Sequence, residues 1–145
     1  MGIYGSLDVS VSGMIAQRVR MDTIAANLAN INTTVDEFGQ ANPYQRRFAE
    51  FMPGDPTASN REARKLGVHV ANIGISDAAP RKVWDPTDPL ARPEGSPDAG
   101  YVYYPSIDPV TEEINGLEAQ RAYEANVTAA EATKSILAQA LRMIA

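Results

Sequence analysis

The sequence predicts an α+β protein with two long terminal α-helices lying as an antiparallel, coiled-coil-like pair and a small β-rich module between them. Three observations carry this. All ten prolines fall between Pro43 and Pro109, so the first 42 and the last 36 residues lack the residue that breaks helix interiors. Both proline-free ends carry apolar residues at alternating spacings of four and three, the pattern of a helix with one apolar seam. The middle instead holds short runs of aromatic and β-branched residues between Asp-Pro and Gly punctuation. The segments divide at 1–34, 35–108 and 109–145.

In the first segment Leu7, Val11, Met14, Arg18, Met21, Ala25 and Leu28 form the seam, interrupted once by Arg18. The spacing predicts a helix over 6–29. It ends at Asn30-Ile31-Asn32, where amide side chains compete for the backbone. Asn27, still inside the helical stretch, is poorly explained as a helix stop.

The last segment opens with Asp108 as N-cap and Pro109 at the first helical position, and Glu112 and Glu113 favour the positive end of the helix dipole. Tyr123, Val127, Ala130, Lys134, Leu137, Leu141 and Ile144 form the second seam. A helix from 109 to near 145 is roughly 55 Å long, too long for a small β-module to cover. Its many alanines permit close approach of neighbours, so it needs partners beyond its own chain, and the isolated chain should have weakly protected ends. Antiparallel pairing brings Asn27 towards Tyr123, where the two are expected to share a polar cluster.

The middle predicts strands over 44–51, 68–75, 82–84 and 101–104. Loops are expected over 53–60 and 86–100, and the charged run Arg61, Arg64, Lys65 reads as solvated loop. Trp84 with Tyr101, Tyr103 and Tyr104 reads as strand core.

Composition excludes several function classes. Thirteen basic against eighteen acidic residues leave a formal net charge of −5 with no basic stripe, which argues against a nucleic-acid partner. The absence of cysteine removes thiol catalysis, disulfides and Cys-based metal sites. The N-terminus lacks the charged and apolar blocks of a cleavable signal peptide, and no apolar run reaches the ~20 residues of a membrane span. The myristoylation-like Gly2 to Ser6 match and the acceptor patterns at Asn32 and Asn126 are short enough to recur by chance. His69, the single histidine, reads as an exposed strand position, so no metal or cofactor is expected. The carboxylate pairs Asp85/Asp88 and Glu112/Glu113 could serve a hydrolase, but read more simply as a turn and a helix start.

Ala26-Asn27-Leu28-Ala29-Asn30-Ile31-Asn32-Thr33-Thr34 closely resembles the motif that closes the N-terminal helix of flagellar axial proteins, the family of rod, hook and hook-associated subunits. Pro43-Tyr44-Gln45-Arg46-Arg47, Gly67-Val68-His69-Val70, Asp85-Pro86, Gly100-Tyr101-Val102 and Arg121-Ala122-Tyr123-Glu124-Ala125-Asn126 extend the likeness, in order, to proximal-rod subunits. The segments 53–65 and 90–97 are longer than is usual there, and Asp88 stands where a histidine is common.

The resemblance implies a structural, non-enzymatic subunit of a periplasm-spanning basal-body rod. It implies helices packed in a helical lattice with other rod subunits and with its own copies, and delivery by the flagellar type III export apparatus through an uncleaved N-terminal signal. On that reading the assembly surface comprises Leu7, Val11, Met14, Met21 and Leu28 on the first helix and the polar set Asn27, Asn30, Asn32 and Thr33 at its end. The last helix adds Arg121, Tyr123, Asn126, Val127, Leu137, Leu141 and Ile144. Alternatives are another rod or hook component, a cell-wall hydrolase, which needs an acid pair across a cleft, and an adaptor that binds a partner helix in a small complex.

Overall fold

A computed structural model describes residues 3–58 and 61–144, with the side chains of 5–58, 61, 64–66, 67–143. The elements run α1 (Ile3–Ala29), β1 (Arg47–Pro53), α2 (Arg61–Leu66), β2 (Val68–Ile75), β3 (Arg81–Trp84), β4 (Tyr101–Tyr104) and α3 (Pro109–Ile144). This is the α+β arrangement that the proline distribution predicts.

Asp108 caps α3 as expected. Its carboxylate accepts from the Val110 amide at 3.2 Å and from the Thr111 hydroxyl, and its carbonyl accepts the first helical bond from the Glu112 amide. At the end of α1 the Asn30 side chain donates back to the Ala26 carbonyl at 2.9 Å and accepts from the Thr33 hydroxyl at 3.1 Å. The Ala26 carbonyl also takes the Asn30 amide at 3.1 Å, so at the stop one asparagine's side chain competes with its own backbone for the same acceptor.

The two helices pack on one another in opposite directions. Asn27 meets Glu112, Ile24 lies against Gly116, Arg20 reaches Glu118, and Gly13 lies under Asn126. Between the first and last of these contacts α1 falls by fourteen residues while α3 rises by fourteen. The face that closes the pair is mostly small and polar: Gly13, Ala16 and Asn27 on α1, and Glu112, Ala119 and Ala130 on α3, are buried, with Ile24 the one large apolar side chain among them. Tyr123 and Leu137 lie at its margin, half-buried.

This is a different face from the apolar seam of α1, which is rotated by about one residue, or ~100°. Small residues let the axes approach, and the larger apolar side chains are left outside. The expectation that both helix ends lack packing within one chain is thus corrected. The pair closes on itself over most of α1; the far end of α3 runs past it, and Val110, Ile114 and Leu117 on the outer face of the start of α3 are exposed as well.

β1 and β2 form an antiparallel pair, in register Arg47↔Ile75 to Pro53↔Val68 with an irregularity at Glu50/Phe51. This sheet packs on α1. The Ser12 hydroxyl, donating to the Val9 carbonyl at 2.7 Å, accepts from the Val68 amide at 3.1 Å and pins the start of β2 to the helix. β2 matches its predicted bounds, whereas β1 begins three residues later than expected because 44–46 are used in docking to the helices. Arg61–Leu66 is a helical turn and not loop, with Arg64 Nε donating to the Ala58 carbonyl at 2.7 Å.

β3 and β4 form a second antiparallel pair, separate from the first. Trp84 and Tyr101 meet edge to face at 5.0 Å, but Trp84 and all of β3 are exposed, which corrects the reading of Trp84 as core, while Tyr101, Tyr103 and Tyr104 are half-buried. A two-stranded ribbon covered on one side at most has no interior for such a ring. Val102, on β4, is the buried member.

Candidate functional site: a buried clamp and two outward stripes

The residues carried over from the sequence pattern fall into two groups. Asn27, one of them, is fully buried and spends its whole hydrogen-bonding capacity. Its Nδ2 donates to the Arg47 carbonyl at 2.7 Å and to Glu112 Oε2 at 2.9 Å. Its Oδ1 accepts from the Arg47 amide at 2.9 Å and from the Tyr44 hydroxyl at 3.3 Å. Two donors and two acceptors are all that an amide side chain offers.

The pair of bonds to Arg47 is that of a neighbouring strand. The Arg46 carbonyl already accepts from Ser76 on the β2 side at 2.8 Å, so alternation turns the Arg47 amide and carbonyl to the free edge. A helix side chain thus completes the strand edge that would otherwise lie open.

Glu112 is the second part of the clamp. It is 1% exposed, and Oε1 accepts from Arg46 Nε and Nη2, each at 2.7 Å, while Oε2 takes the Asn27 amide. A carboxylate is tolerated at such burial only with this many charge-assisted donors. The sequence reading of Glu112 as a dipole-favouring helix start missed this role, as it missed Arg46 and Gly13. The signal available was a recurrence of small and polar residues at helical spacing, beside the apolar one.

The expected Asn27–Tyr123 cluster does not form. Tyr123 lies eleven residues beyond Glu112 along α3, about 16 Å away, and Asn27 is saturated by the partners above. Asn126 lies instead opposite Gly13: a Cβ added there would come within 2.8 Å of its Oδ1. Asn126 also donates to the Ala122 carbonyl at 2.8 Å.

The second group faces outward. On α1, Leu7, Met14, Met21 and Leu28 are half-buried, and Val11 and its neighbour Ile15 are exposed. On α3, Val127 and Leu137 are half-buried, and Leu141 is exposed with Ile136 and Met143 beside it. The Ile144 side chain lies outside the described residues. Arg121 and Asn32 are exposed, Thr33 and Asn30 half-buried. Arg18 and Lys134, which interrupt the seams, both face solvent.

The candidate chemistry residues are committed elsewhere. Asp85 Oδ1 accepts from the Thr87 amide and hydroxyl, which holds its carboxyl below the usual carboxylate range, and Asp88 Oδ1 accepts from the Leu90 amide. Both are turn residues. His69 is half-buried, with Nδ1 2.6 Å from the Gly54 carbonyl, and not the exposed strand position expected.

Two family models match the chain where the helices pair: "Flagella basal body rod protein" over residues 7–35 and "Flagellar basal body rod FlgEFG protein C-terminal" over 98–143. The chain is 38% identical to the flagellar basal-body rod protein FlgC of Bacillus subtilis, over 99% of both chains. It is 35% identical to FlgC of Aquifex aeolicus over 94% of this chain and 92% of that one, and 32% identical to FlgC of Salmonella typhimurium over 99% and 98%.

The chain belongs to the flagellar basal-body rod proteins.

The family matches cover the two helices and their clamp residues Asn27 and Glu112, while Tyr44, Arg46 and Arg47 lie between the matched ranges. As a member of this family the chain is a structural subunit of the basal-body rod and not an enzyme. The hydrolase reading of its carboxylate pairs falls with that. Among the described residues no helix is long and apolar enough to cross a membrane.

Proposed function

We propose that the chain is a subunit of the proximal part of the rod, assembling through the outward faces of α1 and α3 into a helical lattice that carries torque across the periplasm. The pairing of the helices becomes coiled-coil-like only in that lattice, when the apolar stripes meet neighbouring subunits. Other rod subunits and further copies of this chain are its partners, and the flagellar type III export apparatus delivers it.

The observation that carries this reading is the division of labour on the helices. The pair closes through glycine, alanine, Ile24 and a polar clamp, and leaves Ile15, Ile136 and Leu141 each about 60% exposed. A monomer with no partner gains nothing from such side chains on helices this long. In the contact register above, Ile3 stands opposite about residue 136, so the last two turns of α3 run past the start of α1. Those turns are stabilised only when a neighbour covers them.

The test is Leu141→Asp. The secreted or purified chain should keep its helical content, while cells carrying it fail to swim and their basal bodies lack a complete rod, because burying a carboxylate in a helix interface costs several kcal/mol. Normal swimming overturns the assembly surface proposed here.

A further inference from the structure

Phe38 is the most exposed large apolar side chain among the described residues, at 84%. It stands at the tip of a turn with its own internal hydrogen bonds. Asp36 Oδ1 accepts from the Phe38 and Gln40 amides at 3.0 and 2.9 Å, and the Asp36 amide donates to the Gln40 carbonyl at 3.0 Å. Gly39 takes the left-handed conformation that closes the turn (φ 73°), and Val35 bridges Ala41 beneath it. A turn so bonded presents its ring in a set place, so little ordering entropy remains to be lost on binding. Fixed, exposed aromatics of this kind are the usual anchors of interfaces.

A matching groove lies on another part of the surface, between α1, β1 and the start of α3. Its apolar lining is Ile24, Phe48 and Phe51, its rim Arg20, Arg46 and Arg47, and its volume about 260 Å³, room for one aromatic ring. No carboxylate lines it. Arg46 and Arg20 are paired with Glu112 and Glu118, whereas Arg47, whose guanidinium lies over the Tyr44 ring at 5.4 Å, has no carboxylate partner among the described residues. Asp36 and Glu37, beside the Phe38 ring, supply the opposite charge, and Glu37 is exposed.

We propose that Phe38 docks into the Ile24–Phe48–Phe51 groove of a second copy of this chain, with the acidic turn against the arginine rim. Within one chain Phe38 borders a different hollow, beside Val35, Tyr44 and Ile75, which shares Arg47 alone with the groove. Knob and groove are different surfaces, so each contact leaves a free knob on one copy and a free groove on the other. Such a contact propagates as an open helical array and does not close as a dimer. The inference rests on the rod-subunit reading, since only an open array uses both ends.

The absence of native cysteine makes the test clean. Two tagged forms, Phe38→Cys and Phe51→Cys, are produced in one motile strain, and isolated basal bodies are treated with a short bis-maleimide. A covalent dimer carrying both tags, and absent when either cysteine is missing, is expected. Ala49→Cys, which lines the same groove, replaces Phe51→Cys if that variant folds poorly. No dimer from intact basal bodies, or equal yield when the second cysteine stands at Leu141, overturns the contact. So does a benzophenone side chain at position 38 that captures only a different protein. Phe38→Ala should lower the amount of this chain in basal bodies about tenfold or more with unchanged circular dichroism. Normal incorporation of Phe38→Ala in a strain where Leu141→Asp abolishes the rod overturns this inference alone and leaves the rod-subunit reading standing.

Discussion

The two ends of the helix pair are built on opposite plans. At the end nearest β1, Asn27 and Glu112 are sealed from water and joined to Tyr44, Arg46 and the Arg47 backbone by hydrogen bonds of 2.7 to 3.3 Å. At the other end α3 carries Ile136, Leu141 and Met143 into solvent. The first end fixes geometry, because a desolvated polar network tolerates one arrangement of its atoms. The second fixes none within the monomer, which leaves it free to be shaped by a neighbour. One helix thus serves folding through the Glu112 face of its start, while its outer face carries exposed apolar side chains from Val110, Ile114 and Leu117 to Leu141 at its finish.

The largest expected effect breaks the first end. Asn27→Asp removes both donors and sets a second carboxylate against Glu112. It should destabilise the chain by about 3–5 kcal/mol in urea unfolding followed by circular dichroism. A loss below 1 kcal/mol would mean that the clamp is not the fixed end. Asn27→Ala and Glu112→Ala should each cost about 2–3 kcal/mol. Their double mutant should cost clearly less than the two together, since they share one network; additive losses would separate them.

Amide exchange sharpens the contrast along α3. Protection should be strongest near Glu112 to Ala119 and decline to little beyond residue 137, with no plateau at the far end. Equal protection throughout would show the end of α3 to be packed within one chain.

Gly13 lies between the two ends, and its effect is smaller because two terms oppose. Alanine there gains up to ~1 kcal/mol of helix propensity, but its Cβ would stand 2.8 Å from the Asn126 Oδ1. Gly13→Ala should therefore be near neutral in the native background and stabilising in an Asn126→Ala background. Gly13→Leu should cost about 1–3 kcal/mol in either. A stabilising Gly13→Leu would show that the axes are not in close approach.

The smallest effect lies away from both ends, in the β3–β4 ribbon. Lys82 Nζ donates to Asp98 Oδ1 at 2.8 Å and the Tyr103 hydroxyl donates to Asp98 Oδ2. The Lys82 hydrogen bond, followed by that from Tyr103, holds Asp98 below the usual carboxylate range, and the bond to Asp98 raises Lys82 and Tyr103. The Asp98 contribution is present above about pH 4 and is lost as pH falls through its lowered value. Those of Lys82 and Tyr103 are present below about pH 10 and are lost as pH rises through their raised values. Trp84 fluorescence should therefore stay flat between these limits and change outside them, weakly, because Lys82 is exposed and Asp98 and Tyr103 are only half-buried. The same flat range with Asp98→Asn at both limits would remove the ribbon clamp.

Some of this was legible from residue order alone. Proline placement, the Asp108-Pro109 start and the Asn30 to Thr33 stop marked both helices, and the β-branched run 68–75 marked its strand, because these signals act on the backbone within a few residues. The α1 seam of Leu7, Val11 and Met14 also marked a surface, though not the one that closes the monomer. What only the tertiary structure decided was which helix face turns inward, and that Asn27 meets Glu112 and Arg47 and not Tyr123. Helical periodicity gives the stripes on each helix but not the rotation of one helix against another. That rotation is set where a glycine lets axes approach and where a buried carboxylate finds its donors, and both depend on residues 66 or more positions apart brought together only by the fold.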